Sequence, residues 1–215
     1  MTNVKSKQFW DIVPGNIRDE VKSILVHKKF FPEQIVFNEG DTFKGFFVVE
    51  SGKFKLYNIN YEGKEAILHI SSKGRLIAAP HLFQEISYYP ASCEAIEEGA
   101  LSFFDRNIFK KLLLKDPEFL FEFSALIVDM IFTLKQRLTS IMLNDVKHRL
   151  LLFFEETGGK DEYVGIPIQK KHLALILGTT PETLSRSLKI LEDDGIISHK
   201  DGKYKILSER GSLNQ

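Results

Sequence analysis

The period of the apolar positions changes three times along the chain. Between residues 9 and 31, Trp10, Ile12, Ile17, Val21, Ile24 and Leu25 recur at helical spacing, with a break at Pro14-Gly15-Asn16 that starts the longer helix. From Pro32 the pattern shortens. Ile35-Val36-Phe37, Phe46 to Val49, Phe54 to Ile59 and Ile67 to Ile70 predict strands, and the segment Ala91 to Asp105 adds two more through Ala95-Ile96 and Leu101-Phe103. Polar, glycine-containing turns at 38–41, 51–53 and 61–64 separate them, which describes a small β-barrel or roll. From Phe109 the helical period returns and holds into the mid-150s. Asp116-Pro117 marks a helix start, aspartate as cap and proline in the first turn. Leu120, Ile127, Leu134 and Ile141 then recur every seven residues, Phe123 and Met130 fill the interleaved positions, and Arg137 interrupts them. This a/d seam favours a parallel dimer helix, although a packed internal helix shows similar periodicity. The stripe also includes Phe119, Leu126, Ile131 and Leu138, enough for one face to meet the roll and another a second copy. Asn144-Asp145 is a hinge and cap, and Val146 to Phe154 opens a last region.

That region carries the most specific pattern, IQKKHLALILGTTPETLSRSLKILE from Ile168 to Glu192. Leu173 to Leu177 is one apolar helical run. Gly178 supplies the positive φ that a sharp helix–helix turn demands. Thr180 caps the next helix and Pro181 is preset for its first turn. Leu184, Leu188 and Leu191 form an inward stripe, while Thr183, Ser185, Arg186 and Lys189 lie off it, where they suit base edges and phosphates in a DNA major groove. The competing reading is a helical hairpin with merely solvated polar residues. Gly195 to Ser198, Lys200-Asp201-Gly202-Lys203 and Tyr204 to Leu207 favour DNA, because strand, turn and strand after a helix-turn-helix make a winged helix.

With 215 residues the chain is long enough for two domains, and its apolar share of 43% is that of an ordinary globular protein. No apolar run spans a bilayer, and Met1 to Lys7 is polar with no secretory core, so no membrane association and a cytoplasmic location are expected. A single cysteine, Cys93, excludes an internal disulfide framework and a four-thiolate iron–sulfur cluster within one chain. At a strand position Cys93 is expected to be a small core residue rather than a redox centre. Basic and acidic residues balance at 29 each, which argues against a general polyanion binder. Locally, Lys170, Lys171, Arg186 and Lys189 face only Glu182 between Ile168 and Lys189, an excess suited to phosphate contact. Glu192, Asp193 and Asp194 close that patch, so useful affinity calls for two copies. No nucleophile–base pair, glycine-rich phosphate loop or metal cluster is recognisable, and an enzyme is not expected.

A β-roll, a long dimer helix and a winged helix, in this order from about Phe9 to Leu207, resemble the Crp/Fnr family of bacterial transcription regulators. The sharpest match is GTTPETLSRSLKILEDDGII, similar to that family's recognition helix and the start of its wing. The resemblance implies an α+β fold: an effector-sensing, cyclic-nucleotide-binding-like β-roll over 1–115, a dimerisation helix over 116–143 and a DNA-binding winged helix-turn-helix over 144–215. It implies double-stranded DNA and RNA polymerase as partners of a homodimer. Glu182 and Arg186 correspond to the family's base-reading residues, and with Ser185 they give E-x-x-S-R, similar to the Fnr branch and its TTGA-type half-site. Pro181 stands where the Crp branch often has arginine. Arg donates two bonds to guanine and a carboxylate accepts from cytosine, so the chemistry fits, although an i,i+4 surface ion pair is the alternative. Thr183, Lys170 and Lys171, with Lys189 and His199, are expected on phosphates.

The family's cyclic-nucleotide cassette corresponds to Gly74 to Ala95. Its glycine-glutamate pair aligns with Ala78-Ala79 and its phosphate-binding arginine with Tyr89; Arg75 stands at the loop entrance. Neither replacement holds a ribose or a cyclic phosphate, which argues against cyclic AMP or cyclic GMP as the effector. The expected effector pocket is apolar and aromatic: Leu76, Ile77, Leu82, Phe83, Tyr88, Tyr89 and Met130. Haem is one alternative ligand, as in the family's gas and nitrosative-stress sensors, with His69, His81, Met130 or His148 as axial ligands. A ligand-binding roll whose winged helix docks proteins is the other alternative function.

Overall fold

A computed structural model describes residues 7–63, 65–85, 88–157, 162–166 and 168–207. The polar start up to residue 6 and two cassette positions, Ile86 and Ser87, lie outside the described residues, as does the side chain of Arg137. Contacts divide the chain into two compact units, Met1–Thr133 and Leu134–Gln215.

The first unit opens with two short helices, α1 (Phe9–Ile12) and α2 (Arg18–Ser23). Helix does not continue to residue 31. Leu25–Phe30 is a strand, β1. All six of its residues pair antiparallel with a later strand, in register Leu25↔Phe104 to Phe30↔Gly99. The i,i+4 apolar spacing of Val21 and Leu25 disguised the change, because no glycine or proline punctuates it. Seven further strands complete the roll: β2 (Ile35–Phe37), β3 (Gly45–Ser51), β4 (Phe54–Ile59), β5 (Glu65–Ser71), β6 (Leu76–Ile77), β7 (Ser92–Ala95) and β8 (Gly99–Asp105). They form two four-stranded sheets, ordered β1-β8-β3-β6 and β2-β7-β4-β5.

Alternation along these strands supplies two cores. The interior of the roll holds Phe37, Phe47, Phe54, Leu56, Ile77, Tyr89, Cys93 and Leu101. The other face of β3, β6 and β8 contributes Phe46, Leu76 and Phe104 to a second core. There they meet Phe9 and Val21 from the first helices, and Phe109, Phe119 and Phe123 from α3 (Arg106–Lys115) and α4 (Pro117–Leu143). Five phenylalanines, at 9, 46, 104, 109 and 123, are fully buried, with the centroids of neighbouring rings 4.7 to 6.3 Å apart. Asp105 starts α3 by accepting from the N–H groups of Asn107 and Ile108, and Asp116 accepts from Phe119 N–H beside Pro117. On the outer face of β4, Lys55 is buried with its ammonium 2.9 Å from Glu65 and 3.3 Å from Glu94. Burial alone would lower its pKa. The hydrogen bonds and attraction of the two carboxylates more than offset that, so Lys55 titrates above its ordinary value.

The apolar stripe of α4 is divided. Phe119, Phe123, Leu126 and Ile127 are buried in the unit's own core, with Leu120 and Met130 packed against it. The exposed large apolar residues of its first part are Phe121, Val128, Ile131 and Phe132. Early positions of the heptad seam therefore serve intramolecular packing, and the exposed set is displaced around the helix. In the second unit Leu134, Leu138, Ile141, Met142 and Leu143 are exposed.

That unit continues with α5 (Val146–Glu156), β9 (Val164–Gly165), α6 (Lys170–Ile176), α7 (Pro181–Asp193), β10 (Ile197–Lys200) and β11 (Lys203–Ile206). Asp145 caps α5 by accepting from His148 N–H at 2.8 Å. The three strands form one sheet in the order β10-β11-β9. Its core joins Leu150 and Phe154 to Leu173, Leu184, Leu188, Leu191, Ile197 and Tyr204. Among the described residues, no helix is long and apolar enough to cross a membrane.

Candidate nucleic-acid interface and ligand cavity

Gly178 makes the turn between α6 and α7 at φ +63°. Thr179 N–H bonds back to Ala174 O at 2.9 Å and Gly178 N–H to Leu175 O at 3.1 Å, the paired bonds that end a helix on a left-handed residue. Thr180 then caps α7: its Oγ1 accepts from Thr183 N–H at 3.2 Å, and Pro181 fills the first helical position, where no N–H is needed. Leu184, Leu188 and Leu191 point into the core together with Ser187.

The remaining face of α7 is open. Glu182, Ser185, Arg186 and Lys189 are all exposed, and their spacing of three, one and three residues puts them on a single stripe. Thr183 is half-buried beside its cap, with its Oγ1 3.2 Å from that of Thr180. Its own backbone N–H and the Thr180 hydroxyl hold the Glu182 carboxyl below the usual carboxylate range, so it is an ionised acceptor at neutral pH. Lys170 and Lys171 are exposed in the first turn of α6. His199 is exposed on β10 with its ring stacked on Tyr204, centroids 4.5 Å apart.

Asp201 and Gly202 both have positive φ, +51° and +73°, which is the geometry of a tight two-residue hairpin turn. This places Lys200 directly opposite Lys203, both exposed. Like charges facing each other across a hairpin are unfavourable unless an anion lies between or near them. In the sequence these lysines read only as turn residues, although a Lys-Asp-Gly-Lys hairpin already fixes their pairing. β9 carried no signal: two residues become a strand only because β11 supplies the partner, and Tyr163 beside it shares a 2.9 Å hydrogen bond with Ser198.

In the first unit a cavity of about 160 Å³ opens between the strands and the cassette. Phe37, Leu56, Leu68 and His69 come from β2, β4 and β5; Ala78, Pro80, His81, Tyr89, Pro90 and Ala91 come from the cassette; α4 contributes Met130. Of the seven residues expected to line a pocket, Tyr89 and Met130 do so. Leu76 and Ile77 are buried in the packed cores instead, because successive strand residues point to opposite faces and both faces here are covered, and Leu82 of the short helical turn Ala79–Phe83 is buried with Leu76. Phe83 and Tyr88 are about half exposed, and the Phe83 ring lies 6.0 Å from that of Phe123.

Tyr89 is the centre of this arrangement. Its ring stacks on Phe37 at 3.9 Å, and its hydroxyl donates to Gly45 O at 2.7 Å. Burial pushes its pKa up to about 12, so the phenol is neutral throughout the physiological range. Gly45 must be glycine, since a Cβ there would collide with the carbonyl oxygen of Phe104. Ala78 holds a left-handed conformation, φ +61°, that glycine adopts without strain. Neither lysine nor arginine lines the cavity. Cys93 is fully buried, which raises its thiol well above the ordinary range and keeps it protonated.

A cavity of this size matches one that takes a single benzene ring. The four pyrroles of a porphyrin exceed it, so the residues present do not fit haem, even though His69, His81 and Met130 are all in the lining. His148 belongs to α5 and is not part of that lining. Among the described residues, no group of three or more His, Cys, Asp or Glu is placed to hold a metal ion.

Two family models match the chain: the cyclic nucleotide-binding domain over residues 27–116 and the Crp-like helix-turn-helix domain over residues 146–211. The anaerobic regulatory protein of Bacillus subtilis is 23% identical, covering 94% of this chain and 88% of its own. The probable transcriptional regulator flp of Lacticaseibacillus casei is 28% identical, covering 90% of each. These relatives are regulators, not enzymes. In fold, a CooA mutant from Carboxydothermus hydrogenoformans superimposes with a TM-score of 0.75 at 19% identity, over 95% of this chain and 93% of that one. With a β-roll, a long helix and an outward-facing recognition helix in this order, and with relatives matching along nearly its whole length, the chain belongs to the Crp/Fnr family of transcription regulators and carries that family's DNA-binding helix-turn-helix.

Proposed function

We propose that the chain acts as a homodimer that binds a palindromic DNA site with TTGA-type half-sites under the control of a small effector other than cyclic AMP. The observation that carries this reading is the open stripe of Glu182, Ser185, Arg186 and Lys189 on α7. Arg186 suits the O6 and N7 of guanine, and the ionised Glu182 suits the N4 amino group of cytosine. Lys170, Lys171, Thr180, Thr183 and His199, with Lys200 and Lys203 of the hairpin, would bind phosphates and fix orientation. The exposed apolar residues of α4, among them Val128, Ile131, Leu134 and Leu138, support pairing of two copies, because a solvated helix does not otherwise show so many. Two half-sites one helical turn apart then compensate for the small basic patch of each copy. A cytoplasmic location and contact with RNA polymerase follow from a DNA target.

The effector would bind in the roll. The cavity's lack of a cation and the placement of Tyr89 support exclusion of a cyclic phosphate. Met130 belongs to both the cavity wall and α4, which supports a path by which occupancy biases the paired helices.

Gel shift on a palindromic TTGA-type probe tests the reading. The expected results are retardation, an affinity that falls steeply with salt, and a loss of about tenfold to a hundredfold for Arg186→Ala with no loss of folding. Affinity independent of salt, or unchanged by Arg186→Ala, would point to a winged helix that docks proteins.

A further inference from the structure

We propose that Arg149 and Ile141 are positioning residues for DNA binding: they bear together on the turn glycine Gly178 and set the angle of α7 to the end of α4, and through it the half-site spacing that two paired copies accept. The inference rests on the reading of the chain as a paired DNA binder and names the residues that aim its recognition helices.

The glycine comes first. Its φ of +63° already favours glycine over other residues. The missing side chain also leaves a notch in the turn, and the walls of that notch come from two other helices. A Cβ built on Gly178 would lie 3.5 Å from Nη1 of Arg149, on α5, and 3.6 Å from Cδ1 of Ile141, near the end of α4. Both are ordinary van der Waals distances, so the end of α4, the start of α5 and the turn that leads into α7 meet at one point. Ile141 is a seam position of the heptad pattern and is half-exposed, so it can serve the turn and a second copy at once. The Thr180 cap and Pro181 fix α7 directly to the turn, and a displacement of the notch is therefore a displacement of the recognition helix.

Arg149 makes this contact adjustable. Its Nε is shielded from solvent and, among the described residues, has no acceptor. A buried donor left without an acceptor is costly, so the guanidinium has no strong preference for this one arrangement. Lys55, clamped by two glutamates, is the opposite case. Asp145, four residues before Arg149, accepts from the His148 N–H instead. Packing holds Arg149 against the turn, as does the C-terminal end of α6, whose partial negative charge favours a cation. When the last turn of α4 shifts, one wall of the notch moves, and Arg149 can follow without giving up a hydrogen bond at Nε.

The test is gel shift of the full-length protein on palindromic TTGA-type probes that differ only in the spacer, at the length the native protein binds best and one base pair longer or shorter, at concentrations where sedimentation shows the copies paired. The native protein should prefer its best spacing by about tenfold or more, and Arg149→Met and Ile141→Ala should each reduce that ratio to about threefold or less. Lost folding would lower affinity for every probe by one factor and leave the ratio intact. Ile141→Ala, at a half-exposed position, carries the test should Arg149→Met fail to fold. The double variant should be no worse than either single change, because both residues act through one contact. The slope of affinity against salt should stay as in the native protein. A slope smaller by about one in Arg149→Met, with the spacing ratio kept, would make Arg149 a phosphate contact and overturn the proposal. Ratios unchanged in both single variants, or a double variant that multiplies their losses, would overturn it and leave the DNA reading standing. A native protein indifferent to half-site sequence would remove the DNA reading and this inference with it.

Discussion

The two units use polar chemistry in opposite ways. The winged helix places its charges on an exposed helix face, and little holds them except solvent and the Thr180 cap. The roll instead covers and pairs its polar groups: Tyr89 is tied to a carbonyl, Cys93 is kept protonated, and Lys55 on the outer face of β4 is clamped by two glutamates. An open face of ions suits a polyanion in water, where attraction is long-ranged and tuned by salt. A cavity without charged side chains in its lining suits an uncharged ligand. The two regions are built over separate hydrophobic cores.

The largest effect that would sharpen this contrast is Phe123→Ala. The side chain is fully buried among the rings of Phe9, Phe46, Phe109 and Phe119, so its removal should cost about 3–5 kcal/mol. Calorimetry should show the roll melting earlier while a transition of the winged helix is retained. A single transition displaced as a whole would show that the two cores are energetically one.

Alkali gives a smaller effect confined to the roll. The fold favours the protonated phenol of Tyr89, so that contribution is complete below pH 10. It disappears as the pH rises toward about 12, a loss of roughly 2 kcal/mol. Denaturant titrations should show the decline in the native protein and a flatter profile in Tyr89→Phe. An identical decline in both would assign it to other groups.

The smallest effect lies in the winged helix. Thr180→Ala removes the acceptor for Thr183 N–H and should cost about 1 kcal/mol, read as a lower midpoint for that unit alone. The same change releases the Glu182 carboxyl from the hydroxyl that lowers its pKa. DNA affinity in Thr180→Ala should therefore begin to fall at a higher pH on acidification than in the native protein. Coincident pH profiles would exclude this role for the cap.

The sequence by itself determined the features whose causes lie within a few residues. Gly178 and the Thr180-Pro181 start set the helix-turn-helix, Asp201-Gly202 the hairpin, and Asp116-Pro117 the beginning of α4. The i,i+3,i+4 arithmetic of α7 was enough to separate Leu184, Leu188 and Leu191 from Glu182, Ser185, Arg186 and Lys189. Only the tertiary structure decided the rest. Leu25–Phe30 and Val164–Gly165 are strands because β8 and β11 offer them hydrogen bonds. Leu76, Ile77 and Leu82 are core while His81, Pro90 and Met130 meet at a cavity. Half of the α4 stripe faces the roll because a sheet presents Phe46 and Phe104 there. Strand pairing and burial depend on groups distant in the chain, and spacing along one segment records that a residue is apolar without recording which neighbour will cover it.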